Sequence, residues 1–293
     1  MAKKIIIITD SCCNFTEKEQ LELGVSSISS RVRFGNKVYR ETGLTESMKL
    51  AEIIRQSNVT PVILHPSSEE VFQVYSLLYS EFDNVLSYHL SSQLSPNYAE
   101  AKKAQNLLYD THIEVMDSRM AEPSLKIAIK FISQLVAKKE TFQTILTELP
   151  TINKYFQSFI ITNQLRNMKT NIEPSYLSGI SLFKKNPYHL FSIVDGKPHF
   201  IAKTDFNQIE ISLMDNIPST FNNENTHVHI LYALDMEKAR VLEKVIQGKM
   251  HVASITLQPM SLSSISRYGT DAILVGFSSI PAYSTSHSSD HDM

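Results

Sequence analysis

Cysteine is nearly missing from this chain of 293 residues: only Cys12 and Cys13 occur, side by side. Adjacent cysteines do not meet the geometry of an ordinary disulfide, and no further Cys or His follows at zinc spacing. The pair therefore reads as two small loop residues, and a reducing, cytoplasmic location is expected. Glycine is scarce as well, with eight in the chain. That is too few for a Gly-rich phosphate cradle, and no Walker loop, Gly-x-Gly-x-x-Gly, Gly-x-Ser-x-Gly or His-Glu-x-x-His is found. Basic excess is also lacking: the formal net charge is −2, without a Lys/Arg cluster, which argues against a nucleic-acid partner. The apolar run Ile5–Ile8 behind Lys3-Lys4 stops after four residues, too short for a signal-peptide core, and no segment approaches the length of a membrane span.

What is present is ordinary globular composition, 42% hydrophobic and 20% charged, in a chain long enough for two domains. Ile5–Ile8 reads as a strand buried on both faces. A turn over Asp10–Asn14 follows, then a helix over Thr16–Leu23, a strand over Val25–Ile28 and a hairpin over Arg31–Arg40 turning at Gly35-Asn36. Thr45 caps a helix to Gln56, Pro61–Ser67 is extended, and Ser68 opens a further helix. A strand from Val85, a helix with Pro96 in its first turn, a strand over His112–Met116 and helices over Ser124–Lys139 and Thr141–Leu149 complete this part. Such alternation predicts parallel βαβ units.

From Asn153 the character changes. Strands are expected over Tyr155–Thr162, Leu190–Lys203 (a hairpin), Thr226–Leu234, His251–Leu257 and Ala272–Phe277, with a helix over Met236–Gln247. Asn207–Asn225 lacks clear periodicity and reads as a loose connection. The expectation is a two-domain α/β protein. Residues 1–152 would form an N-terminal parallel-sheet α/β/α domain and residues 153–280 a C-terminal α+β domain, with 281–293 a disordered tail.

The stretch from Val85 to Asn97 organises the first domain. Strand, polar turn and helix start would aim backbone N–H groups and a positive dipole end at one spot, and Ser91 and Ser92 add hydroxyls. An anionic head group could bind there, although the same turn also serves as a plain helix cap. Thr9-Asp10-Ser11 and Met116-Asp117-Ser118 put further hydroxyls and carboxylates at strand ends, where ligands sit in open α/β sheets. His227 and His229 share a strand face but lack a third ligand, and read as a packed or surface pair. No catalytic or metal-ligating residue is assigned, and binding is the favoured class. The alternatives are a metal-dependent small-molecule phosphotransferase or hydrolase at Asp10, Ser11 and Asp117, or a ligand-free interaction module.

Ile6-Ile7-Ile8-Thr9-Asp10-Ser11, Phe34–Glu41, Pro61-x-x-x-His65-Pro66-Ser67, Leu90-Ser91-Ser92-x-Leu94-Ser95-x-x-Tyr98 and Asp117-Ser118 occur in the order and spacing of DegV-family proteins. Asn186-Pro187, Asp195-Gly196-Lys197 and Val275-Gly276-Phe277 fit as well. The chain resembles a divergent member of that bacterial family up to about Phe277. The resemblance implies a two-domain α/β protein that holds a long-chain fatty acid as ligand, with no cofactor and no catalysis of its own. Some members are binding subunits that present the acyl carboxylate to a separate fatty acid kinase. Carried over position by position, it implies a binding set of Ser91, Ser92, Asn97, Asp10, Ser11, His65, Ile63 and Arg267. Three departures stand out. The family's Thr-Thr-Ser-Gln-Pro-Ser is Val62-Ile63-Leu64-His65-Pro66-Ser67 here, which removes a threonine hydroxyl from the head-group site. Glu173, within Asn171–Ser175, replaces a basic residue. A family His falls at Arg267, which would either supply the head-group cation or pair with Glu173.

Overall fold

Residues 5–41, 44–57, 59–108, 112–172, 174–177 and 187–280 are described by the structure, a computed structural model. The expectations placed on Glu173, Asn186 and the tail at 281–293 lie outside them. The chain opens with β1 (Ile5–Asp10), α1 (Glu17–Leu23), β2 (Val25–Ile28), β3 (Arg31–Phe34), β4 (Lys37–Arg40), α2 (Leu44–Arg55), β5 (Val62–Leu64) and α3 (Ser68–Tyr79). It continues with β6 (Asn84–His89), α4 (Asn97–Asn106), β7 (Ile113–Asp117), α5 (Glu122–Ala137) and α6 (Phe142–Ile152). β2, β1, β6 and β7 form a parallel sheet in that order, and β4, β3 and β5 a small antiparallel one. All six residues of β6 are buried, as a central parallel strand covered on both faces requires. Local signals hold the helices: Thr16 with Glu19, and Ser67 with Glu70, form capping boxes, and Gly24 ends α1 with φ +62°. Pro96 stands at the cap position before α4, with Ser95 behind it accepting from Asn97 N, rather than inside the first turn.

The second half holds β8 (Phe156–Thr162), α7 (Leu165–Asn171), β9 (Tyr188–Val194), β10 (Lys197–Thr204), α8 (Phe206–Asn216), β11 (His227–Tyr232), α9 (Met236–Lys249), β12 (Ser254–Pro259), α10 (Leu262–Tyr268) and β13 (Ile273–Ser278). Its sheet runs β10-β9-β8-β13-β11-β12, antiparallel except for β11 with β12. The segment expected to be a loose connection carries α8, anchored by buried Ile209 and Leu213 at helical spacing. Neither α7 nor α10 was expected. α10 is serine-rich and a weak helix former, but every one of its residues is buried, so packing holds it.

One apolar cluster runs through both halves. It joins Ile7, Tyr88, Leu90 and Leu125 to Phe156, Phe191, Ile265 and Tyr268. α5 packs against β1 on one side and against β8, β11 and β13 on the other. The two sheets thus share this core, and each fills a separate cluster on its other face, around Ile8 and Val85 in the first half and around Phe159 and Val275 in the second.

Candidate functional site

The carboxyl ends of β1, β6 and β7 lie side by side, and α10 packs close to the short helical turn that follows β1. Asp10, 1% exposed, closes β1. Its Oδ1 accepts from His89 Nδ1 at 2.8 Å and Asn97 Nδ2 at 2.9 Å, and its Oδ2 accepts from Leu90 N at 2.7 Å. Burial alone would raise the Asp10 pKa. The His89 interaction and the Asn97 and Leu90 bonds outweigh burial and hold the carboxyl below its ordinary value. Ser87 lies within 2.7 Å of His89 Nε2 and accepts from Tyr75 Oη at 2.7 Å, which extends the network into the sheet.

Because Asn97 spends its amide N–H on Asp10, its Oδ1 accepts from His65 Nδ1 at 2.8 Å. Burial, aided by the nearby Arg267 charge, pulls His65 down to about 4, so it is neutral at pH 7 with a lone pair on Nε2. Ile63, in the middle of β5, is buried and donates its N–H to Asn171 Oδ1 at 2.9 Å. Ser11 donates to Glu41 and accepts from Ser30 N. Glu41 in turn accepts from Ser263 N and Oγ at 2.9 Å, tying the first hairpin to α10.

The turn after β6 spends its N–H groups internally. Ser91 N bonds Met120 O, Ser92 N bonds Asp117 Oδ1, Gln93 N bonds Ser91 Oγ, and Leu94 N and Ser95 N bond Ser91 O. The array of free N–H groups expected there for an anion is therefore taken up by the fold. Ser91 is fully buried and donates to Gly196 O at 2.8 Å, a link to the β9–β10 hairpin. Gly196 sits at φ +79°, and a Cβ there would collide with Ser91 Oγ. Ser92 is half-buried; its Oγ accepts from Gln93 Nε2 at 3.2 Å and keeps its own proton to donate.

Arg267 meets an internal carboxylate. Its Nη1 lies 2.5 Å from Glu122 Oε1, and Ser264 Oγ (3.1 Å) and Tyr268 Oη (2.9 Å) also donate to Glu122. Burial opposes the Arg267 charge, and Glu122 more than restores it, so its pKa rises. Burial, then Glu122, pushes Tyr268 well up. The Arg267 partner in the structure is thus Glu122, in the first turn of α5, where a carboxylate also suits the helix dipole. Arg267 Nε is buried without a partner. Glu122, Tyr268, Glu41 and the His89–Tyr75 chain were not singled out in the sequence. A Glu-Pro pair opening a long apolar helix was the one signal for Glu122. Cys12 and Cys13 are free and buried in the turn after β1. Among the described residues no three His, Cys, Asp or Glu side chains group to hold a metal, and no helix is long and apolar enough to cross a membrane.

Residues 4–173, more than half the chain, match the family model for uncharacterised proteins of the DegV family. A DegV domain-containing protein of Listeria innocua is 26% identical over 172 residues, 58% of this chain and 60% of that protein. The chain thus spans about 60% of the length of that relative. Among solved structures, a Thermus thermophilus DegV family protein described for its fatty acid binding superposes with a TM-score of 0.81 at 18% identity, covering 94% of this chain and all (100%) of that one. The Streptococcus pneumoniae fatty acid kinase B3 protein, loaded with linoleic acid, gives 0.76 at 14% identity, with 94% and 100% covered. These likenesses establish the fold, and with the family match they settle the kinship: the chain belongs to the DegV family.

Proposed function

We propose that this chain binds a long-chain fatty acid, or a related lipid, between its two halves, with the polar end near Arg267, His65 and Ser92. The observation that carries this reading is Arg267 Nε, a buried N–H with no partner, on the helix that gives Ile265 and Tyr268 to the apolar cluster that the halves share. Buried donors of this kind are nearly always bonded, so an unmatched one marks where a ligand oxygen fits. The fatty-acid-loaded relatives with the same fold support it.

Burying roughly fifteen methylenes at ~0.8 kcal/mol each supplies about 12 kcal/mol before costs. A charge-assisted hydrogen bond to the head adds about 1.5–3 kcal/mol. The tail therefore carries affinity, and the polar cluster sets orientation. Glu122 already offsets the Arg267 charge, so the head group leans on Arg267 Nε–H and the Ser92 hydroxyl rather than on a free cation. Asn97, Asp10, Ser11 and Ile63 shape the surroundings. Ser91, whose hydroxyl is committed to Gly196, serves to join the halves.

Presentation of the acyl group to a fatty acid kinase partner belongs to the same proposal, as does a cytoplasmic setting, which suits two reduced cysteines. Glu173, where the family carries a basic residue, is expected to weaken that docking. The rival enzymatic reading gains little, because all three bonds to Asp10 come from protein donors and Ser11 is bonded to Glu41. Organic extraction of the purified protein followed by mass spectrometry tests the proposal. A long-chain acyl species near one per protein is expected. A clean extract, together with no saturable uptake of added fatty acid, overturns it.

A further inference from the structure

Asn171, the last residue of α7, clamps β5 to α10. Its Oδ1 accepts from Ile63 N at 2.9 Å, and its Nδ2 donates to Ser266 O at 2.9 Å. His65, just after β5, and Arg267, next to Ser266, are thereby brought to one corner, close enough for the Arg267 charge to act on the imidazole. A chain that starts at Asp10 fixes the protons there. The carboxylate takes the Asn97 amide N–H, and Asn97 Oδ1 then takes His65 Nδ1–H, with Ser95 Oγ 3.4 Å from the same nitrogen. Among the described residues His65 bonds only through Nδ1, so its Nε2 is an open acceptor. Arg267 Nε is an open donor.

The buried charges leave no room for another anion. Among the described residues, the buried Asp, Glu, Lys and Arg side chains are Asp10, Glu122, Lys126 and Arg267. Arg267 meets Glu122, and Lys126 meets Glu19 as well as Asn14 O and Gln258 Oε1. Asp10 is a further carboxylate, bonded to His89, Asn97 and Leu90 N. Arg119, beyond the Ser92 turn, is exposed and lines a separate surface cleft with Lys154 and Asp195. An ionised ligand carboxylate would enter beside Asp10 and Glu122, and each buried cation described already has a carboxylate of its own. Burying a charge without compensation is costly. A hydroxyl meets both open groups: its proton goes to His65 Nε2, and its oxygen takes Arg267 Nε–H.

Granted that a lipid binds between the halves, we propose that its head group is held uncharged, with an O–H donated to His65 Nε2 and an oxygen that accepts from Arg267 Nε. A long-chain alcohol presents that group directly, whereas a fatty acid has to bind in its protonated form. An ordinary carboxyl titrates at about 4.3 and is protonated in about one molecule in a thousand at pH 7.5, a handicap that the alcohol does not carry. The test delivers hexadecanol, palmitic acid and methyl palmitate from cyclodextrin to the delipidated full chain at pH 7.5, each competing with radiolabelled palmitic acid. Hexadecanol should bind about tenfold tighter than palmitic acid, and about tenfold tighter than methyl palmitate, which has no O–H for His65. His65→Leu removes the acceptor and should bring the alcohol and the ester to comparable affinity, which steric exclusion of the ester methyl would not do. Glu122→Gln frees the Arg267 charge and should turn the order toward palmitic acid. Four results would each overturn the proposal: palmitic acid tighter than hexadecanol in the parent, methyl palmitate equal to hexadecanol there, an unaltered alcohol-to-ester ratio in His65→Leu, or an unaltered alcohol-to-acid ratio in Glu122→Gln. Those results leave lipid binding itself standing. Uptake of none of the three compounds overturns the lipid site, and this head-group assignment with it.

Discussion

Arg267 of α10 and Glu122 at the start of α5 form an ion pair 2.5 Å long in which neither side chain is more than 2% exposed. The pair joins the two halves inside their common core, and it places a protein carboxylate on the guanidinium that would otherwise be free for a ligand.

Breaking such a pair from one side leaves a buried charge without compensation, at a cost of about 3–5 kcal/mol. Glu122→Leu and Arg267→Met should each lose stability of that order in urea denaturation, and the double variant should recover most of it. Full additivity of the two losses would refute the coupling. Glu122→Gln keeps the shape but releases the Arg267 charge. Fatty acid retention should then rise, and unchanged retention would place the head group beyond Arg267's reach.

The neighbouring serines after β6 should separate cleanly. Ser91→Ala removes the donor to the buried Gly196 carbonyl and should cost about 1–3 kcal/mol of stability. Ser92→Ala touches a half-buried hydroxyl with one weak protein bond, so stability should hold while lipid affinity falls several-fold. Equal thermal losses in the two variants would contradict this division of labour.

Gly276→Ala should wedge β13 away from α5, because the added methyl would lie 2.8 Å from Pro123 Cβ and 3.0 Å from Ser124 N. Backbone on the far side leaves little room to yield, so about 1–3 kcal/mol is expected to be lost. A variant as stable as the parent would show that helix and sheet are packed more loosely there.

The parallel sheet and its capped helices were legible because their signals are local: the Ile5–Ile8 run, the Thr16–Glu19 box and Gly24 each act within a few residues. Asp10, Asn97 and His65 could be nominated from strand-end position and family spacing, and the structure brings them into one hydrogen-bonded chain. α10 was hidden because its serines favour caps and turns, and burial on all sides overrides that preference. The Glu122 partnership was hidden for a related reason. It joins residues 145 apart in sequence, and no local pattern reports such a contact.

Acid should weaken the fold in two stages of distinct origin. Histidines titrate near pH 6.5 in the unfolded chain. Burial, with Arg267 in one case and Lys126 and Lys130 in the other, holds His65 down to about 4 and His229 to about 3. Burial lowers His189 in the same sense. Between pH 6.5 and those values the unfolded chain binds protons that the folded chain refuses, so stability falls as pH drops, by up to ~1.4 kcal/mol per pH unit for each histidine. Asp10, lowered despite burial, and Glu19, lowered to about 2 by Thr16 N and two lysines against burial, act further down. Their contribution is complete above the unfolded carboxylate values and disappears only as pH falls through the folded ones. Urea midpoints should therefore be level from pH 7 to 8 and should decline by about 5 kcal/mol equivalent by pH 4.5. The double variant His65→Gln/His229→Gln should lose most of that decline while keeping the steeper loss below pH 4. If it retains the parent slope between pH 6.5 and 4.5, other groups drive the first stage.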